Sequence, residues 1–346
     1  MQCQITSISG VTALLTSGTA SRRRYVEKVR SSNGNGRGFD DIHESRYALI
    51  NMDGSVHRGV KDAVSFAVSE CSDRALRHSR GKIEMLIEQN APQQQWEMMR
   101  SVVVPSAGAL VAHLVAGEGT AQKELEELLV VQYFTEGETE ARVVFDRMSR
   151  LVEELVSDHS SGSRGIVPVL IDAGIDTDLL HVNLMAFLTA GATNIAAVSG
   201  SVIAELFNSV DRTGLVQDIA AVLRRIPFQR ECFPRSLIDD MEIDGLLYRA
   251  DSDVAFSADA ADRELDRNAE GAPRRTSPVD VQTFKFGIGA HRCPADSVSR
   301  AFLVSLASAL IHAFPDWQTG RTKVREIDSI HRPTELMLTS ADATHD

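Results

Sequence analysis

The chain has 346 residues, enough to bury one large core or two ordinary ones without disulfide or metal staples. Hydrophobic residues make up 43% and charged residues 24%, which is ordinary for a soluble globular protein. The net charge of −12, from 36 basic and 48 acidic residues, excludes a general nucleic-acid binder, which needs a basic surface to displace phosphate counterions.

The first 50 residues are poorly patterned, and Ser31 to Gly38 has the composition of a flexible loop. The Arg22-Arg23-Arg24 cluster comes too late for the n-region of a signal peptide. Asp40 to Glu44 contains His43 among acids but reads as a polar loop before it reads as a metal site. From Asp53 to about Asn208 the apolar spacing is mostly helical. Gln94 to Gly117 forms one such segment, with Pro105 as a boundary or kink. Its apolar part, Val102 to Ala116, is interrupted by Pro105 and His113. No run of about 20 apolar residues appears, so no bilayer span is expected. Glu124 to Val156 predicts two helices broken near Thr135-Glu136-Gly137, and His159 to Ser163 predicts a loop. A long helix runs from about Thr177 to Phe207, capped by Asp176 or Thr177. At 1.5 Å per residue it spans about 45 Å, the width of a domain.

After Arg225 the character changes. Met241 to Tyr248 predicts a hairpin around Asp244-Gly245. Asp259 to Asp280 reads as charged and irregular, with Pro273 and Pro278 marking loop. A helix begins just after Cys293-Pro294, its stripe being Val298, Phe302, Leu306, Leu310 and Phe314, and Pro315 ends it. The fold class is therefore mainly α with a small β portion toward the C-terminus.

The strongest chemical signal is Phe286-Gly287-Ile288-Gly289-Ala290-His291-Arg292-Cys293-Pro294-Ala295. Glycines permit a close backbone approach to a ligand and any positive φ. A cysteine just before a helix start has its thiolate favoured by backbone N–H groups and the helix dipole. Pro294 suits the first turn, where its missing N–H is not needed. The other cysteines, Cys3, Cys71 and Cys232, lie far from Cys293 and from one another. They read as reduced thiols in a reducing compartment rather than as a zinc or redox pair.

This segment resembles the haem-binding loop of the cytochrome P-450 superfamily, with Ala295 where glycine is commoner. The resemblance extends over roughly Asn51 to the C-terminus, leaving residues 1–50 as a divergent segment and 51–346 as the family domain. It implies a soluble, bacterial-type, mainly α domain with a reduced β portion. It also implies haem b, with the iron held by Cys293. By the same resemblance, His57, Lys61, Arg235 and His291 would hold the propionates, with Lys61 in place of the usual Arg. Phe286 and Gly289 would shape the proximal side and Ala190 the distal side.

Two departures concern chemistry. The family's distal helix carries Ala-Gly, a variable residue, an acid and Thr. This chain reads Ala190-Gly191-Ala192-Thr193-Asn194, which makes Gly191, Thr193 and Asn194 the candidate catalytic positions. The Glu that usually precedes a core Arg by three residues is replaced by Ala221 or Val222, ahead of Arg224 or Arg225.

The implied function is monooxygenase-type oxidation of a small, secondary-metabolite-like molecule in the cytoplasm, with electrons from a ferredoxin-type partner. The alternatives are peroxide use, radical coupling, rearrangement or dehydration at the same haem, or a non-catalytic auxiliary homologue.

Overall fold

The computed structural model describes residues 3–33, 45, 47–89, 94–157, 164–229, 232–271, 283–327 and 329–340. The expected loops at 34–38, 40–44 and 159–163, and the prolines at 273 and 278, lie outside these residues. The first 33 residues, unpatterned in sequence, are ordered into β1 (Cys3–Ile5), α1 (Ile8–Thr16), β2 (Ala20–Ser21) and α2 (Arg22–Asn33). Ser31–Asn33, expected in a loop, close the last turn of α2.

Helix α3 (Gly54–Gln89) leads to β3 (Gln95–Glu97), where a helix was expected from Gln94 onward. Strand pairing overrides local spacing there. Trp96 is buried edge-on to Phe314 at 5.3 Å. The Glu97 carboxylate accepts from the N–H groups of Met99 and Arg100 and so caps the helical run that follows. That run, Met99–Val103, continues into α4 (Val104–Ala116). Pro105 lies at the junction where the π-helical Met99–Val103 turn gives way to α4, the boundary expected there. Helices α5 (Thr120–Phe134) and α6 (Glu138–Ser157) are separated at the break expected near residue 136.

After α7 (Ile166–Asp172), α8 (Thr177–Ala186) passes through a π-turn, Phe187–Gly191, into α9 (Ala192–Asn208), giving the long helical run expected from the sequence. Asp176 is its cap, its carboxylate accepting from Asp178 N–H at 3.0 Å and from Leu179 N–H. Short helices α10 (Arg212–Gln217) and α11 (Ile219–Arg225) follow. Then come β4 (Cys232–Leu237), the hairpin β5 (Met241–Ile243) and β6 (Leu246–Tyr248), and β7 (Asp253–Phe256). The hairpin turns on Asp244 and Gly245, both at positive φ (52° and 76°), as a tight Asp-Gly turn requires. Residues 258–271, expected to be irregular, form α12 (Ala258–Gly271). Helix α13 (Asp296–Ala313) and the long hairpin β8 (Trp317–Ile327) and β9 (Ile330–Ser340) end the described chain.

One sheet has the order β1-β7-β4-β2 and another β3-β9-β8. The N-terminal strands thus share a sheet with residues 232–256, with Cys3 opposite Val254 and Ala20 opposite Leu237. Leu14, Leu15 and Ala20 are buried in one cluster with Phe256, Phe284 and Ile288. Two helical runs, Met99–Ala116 and Thr177–Asn208, are long and apolar enough to cross a membrane by length and composition, contrary to the sequence expectation. They are 83% and 61% buried within the fold, as core helices are.

Arg224, the more buried of the two candidate arginines, pairs with Asp266 of α12 at 3.3 Å, so the missing helical Glu is replaced by an acid from another element.

Candidate functional site

A cavity of about 340 Å³ is lined by the α8–α9 run, the 284–295 loop, the start of α3 and strand β4. Its lining is dominated by aliphatic side chains, among them Val111 and Leu114 of α4 and Ile166 and Leu170 of α7.

Backbone geometry builds the loop. Gly287 and Gly289 both sit at positive φ, 67° and 66°. A Cβ at residue 289 would lie 2.7 Å from the Leu15 carbonyl oxygen, so only glycine fits between the loop and α1. Cys293 N–H donates to the Phe286 carbonyl at 2.7 Å, closing the loop on itself. Lys61 Nζ donates to the Ala290 carbonyl at 2.6 Å and to that of Arg292, tying the loop to α3. Lys285, its side chain 1% exposed, pairs with Asp259 at 2.8 Å and Asp262 at 3.3 Å, tying its other end to α12. The Arg300 guanidinium lies 5.2 Å from the Phe286 ring centre.

Cys293 lines the cavity beside Pro294 and Ala295, just before α13. Burial pushes its thiol up to about 11, while the Ala295 N–H pulls the other way. A cation in front of the sulfur would displace that proton.

One part of the wall gathers cations and imidazoles. The rings of His57 and His291 stack with centroids 4.3 Å apart. His291 Nε2 lies 3.3 Å from Asp53 Oδ1, and Asp53 also accepts from the Ser21 hydroxyl at 2.7 Å. Burial is the main force pulling His57 down to about 4, assisted by the charge on Lys61. His57 Nε2 and Arg235 Nε are buried without a hydrogen-bond partner. Such atoms are costly unless a ligand satisfies them. Arg22, 8% exposed, lines the same cavity. Sequence reasoning missed it, because three consecutive arginines do not reveal which one turns inward. The pairing of Ala20–Ser21 with β4 decides that.

The structure brings His57, Lys61, Ala190, Gly191, Asn194, Arg235, Phe286, His291 and Cys293 to one cavity. Gly289 supports the loop from behind and does not line the cavity, nor does Thr193. Among the described lining residues there is no Asp, Glu or Thr. Among the described residues no group of three or more His, Cys, Asp and Glu could hold a metal ion. The donor set is one soft sulfur, a glycine-shaped loop, a buried guanidinium and an imidazole nitrogen without a partner. It suits a flat group with a metal centre and carboxylates at its edge.

No protein-family model matches the chain. Among curated proteins it is similar to cytochrome P450 GfsF of Streptomyces halstedii, at 24% identity over 208 residues, 57% of this chain and 48% of the relative. The chain thus spans about half the length of that relative. Among solved structures it is similar to the mixed-function P450 MycG in complex with mycinamicin IV. There the TM-score is 0.81 and the identity 17%, covering 97% of this chain and 90% of the other. The LnmA cytochrome P450 hydroxylase from the leinamycin pathway of Streptomyces atroolivaceus gives a TM-score of 0.78 at 18% identity, covering 97% and 89%. P450BioI in complex with an acylated acyl carrier protein gives 0.78 at 16%, covering 97% and 91%. At these identities the structural likeness is one of fold.

Proposed function

We propose that this chain, which has the cytochrome P-450 fold and resembles cytochrome P450 GfsF over part of its length, is a member of the bacterial-type cytochrome P-450 superfamily and a haem-thiolate oxidoreductase whose iron is held by Cys293. One observation carries the reading. Cys293 stands in the wall of a largely aliphatic cavity whose wall also holds two buried nitrogens without hydrogen-bond partners, His57 Nε2 and Arg235 Nε.

Haem bound there would supply oxidative chemistry, with thiolate ligation favouring O–O cleavage. The chain's own residues do the rest. His57, Arg235 and His291 hold the propionates, and Lys61 secures the loop that carries Cys293. Ala190 and Gly191 offer little bulk, leaving room beside the ring, and Asn194 offers the substrate or an oxidant one amide. The aliphatic lining selects a small, mostly apolar organic substrate of the secondary-metabolite kind. Electrons come from a separate ferredoxin-type partner, and the compartment is the cytoplasm.

A second reading is favoured by the absence of Asp, Glu and Thr among the described lining residues. Delivering protons to a reacting oxygen needs a relay, and Asn194 can donate a hydrogen bond without readily passing a proton on. Peroxide use, radical coupling, rearrangement or dehydration would need less of such a relay. A non-catalytic auxiliary role is disfavoured, because a scaffold needs neither a cysteine in the cavity wall nor propionate partners.

The deciding experiment is an absorption spectrum of the reduced protein with carbon monoxide. The far-red-shifted Soret band of a thiolate-ligated carbonyl complex is expected, and Cys293→Ser should abolish it. A Ser variant with the wild-type spectrum would defeat the ligand assignment. Dependence of product formation on a surrogate ferredoxin pair, as against added peroxide, separates the two enzymatic readings.

A further inference from the structure

Lys61 stands where the resemblance places a propionate cation, yet its ammonium is engaged with the Ala290 and Arg292 carbonyls. The charge it would bring to a carboxylate is used on the loop instead. The cavity nevertheless carries a second buried guanidinium besides that of Arg235, from the opposite end of the sequence. Arg22 opens α2 and is 8% exposed, while Arg235 is 7% exposed.

Reciprocal contacts hold the two together. Arg22 Nη1 donates to the carbonyl of Pro234, next to Arg235, at 2.9 Å. Arg235 Nη1 in turn donates to the carbonyl of Ala20, two residues before Arg22, at 3.4 Å. The register Ala20 opposite Leu237 and Ser21 opposite Ser236 fixes this exchange. Arg22 Nε donates to Asn51 Oδ1 at 3.1 Å, and its guanidinium lies 5.0 Å from the Tyr25 ring centre, so its orientation is set before any ligand arrives. Arg235, buried in this low-dielectric wall, is costly to keep charged unless an anion lies beside it. Arg235 Nε and His57 Nε2, both without partners, mark where hydrogen bonds to that anion are missing.

We propose that Arg22 is a carboxylate-binding residue of this cavity. With Arg235 it clamps the dicarboxylate edge of the cofactor, while Lys61 serves as a clasp on the Cys293 loop. A planar guanidinium pair can grip carboxylates in the bidentate manner that an ammonium cannot. The assignment rests on the haem reading above.

The test compares wild type, Arg22→Gln and Arg22→Lys, each reconstituted with haem and with haem dimethyl ester, which lacks the carboxylate charges. The readout is the rate of haem loss to excess apomyoglobin, with melting of each haem-free protein as the check on folding. Wild type should hold haem longer than the ester. In Arg22→Gln haem should leave about tenfold faster, and the haem-to-ester ratio should shrink by a similar factor, the size expected for one charge-assisted hydrogen bond. Arg22→Lys should fall between. The carbonyl-complex band should keep its wild-type position in both variants, because the sulfur ligand is untouched. An Arg22→Gln protein that folds and keeps the wild-type ratio overturns the assignment while leaving the haem reading intact. If that variant does not fold, Arg22→Lys decides, an unchanged ratio overturning the assignment and a reduced ratio supporting it. A wild type that takes up no haem overturns the cofactor reading and this assignment with it.

Discussion

Gly289 is held at φ +66° with the Leu15 carbonyl 2.7 Å from where a Cβ would stand. Alanine there meets both a backbone penalty and a clash with main chain that cannot rotate away. Gly289→Ala is expected to cost about 1–3 kcal/mol and to lower haem content, measured by thermal melting and pyridine haemochrome. His57 makes the site pH-sensitive. Its folded value of about 4 lies below the ordinary 6.5, so between those values the unfolded chain binds the extra proton. The His57 contribution to haem-free stability is therefore complete above about pH 6.5 and falls as pH drops toward 4. His57→Phe should flatten that part of a stability–pH curve, and a variant with the wild-type slope would contradict the assignment. On the distal side, Asn194 lines the cavity and Thr193 does not. Asn194→Ala should change the ratio of product formed to reductant consumed, while Thr193→Ala should leave it unaltered. The sequence placed both residues at the distal centre, but adjacent helical positions point about 100° apart and only one can face the cavity squarely.

The elements that carry the site are fixed from outside it. Helix α12 was not legible as a helix, because its charged composition resembles loop. Its two inward acids, Asp259 and Asp262, nonetheless receive Lys285, and Asp262 also accepts from Phe284 N–H at 2.7 Å. The Cys293 loop is thereby anchored one residue ahead of Phe286. Lys285→Met would strand two buried carboxylates. It is expected to destabilise the protein by about 3 kcal/mol or more, read from denaturant unfolding, and a loss under about 1 kcal/mol would show that the pair is screened. The long distal run was legible from its spacing and its Asp176 cap. The π-turn at Phe187–Gly191 within it was not, because a widened turn leaves no simple signature in residue type.

On the scale of the whole molecule, the N-terminal residues belong to the same sheet and core that support the Cys293 loop. Strand β1 runs parallel to β7, β2 pairs with β4, and Leu14, Leu15 and Ala20 share a core with Phe284 and Ile288 of the proximal loop. Removing residues 1–21 is therefore expected to lower the melting temperature and abolish haem retention together. A truncated chain that keeps its carbonyl-complex band would show that the sheet is dispensable. Haem itself should raise the melting temperature of the full chain, since a ligand that binds only the folded state stabilises it by mass action.

The conformation of the Cys293 loop was determined by local sequence. Gly287, Gly289, His291, Cys293 and Pro294 form one short segment, and its conformational needs are written in consecutive residues. The mainly α class, the Asp176 cap, the break near residue 136 and the Asp244-Gly245 turn followed for the same reason, since caps, turns and helical periodicity act over a few positions. Tertiary structure decided what depends on residues far apart in the chain. It turned Arg22 inward through the pairing of residues 20–21 with 236–237. It drew Lys61 onto the Ala290 and Arg292 carbonyls, and it gave Arg224 its acid from α12 instead of from its own helix. Burial made these decisions. A charged side chain taken out of water must find a partner wherever the fold supplies one, and no local pattern in the sequence records where that is.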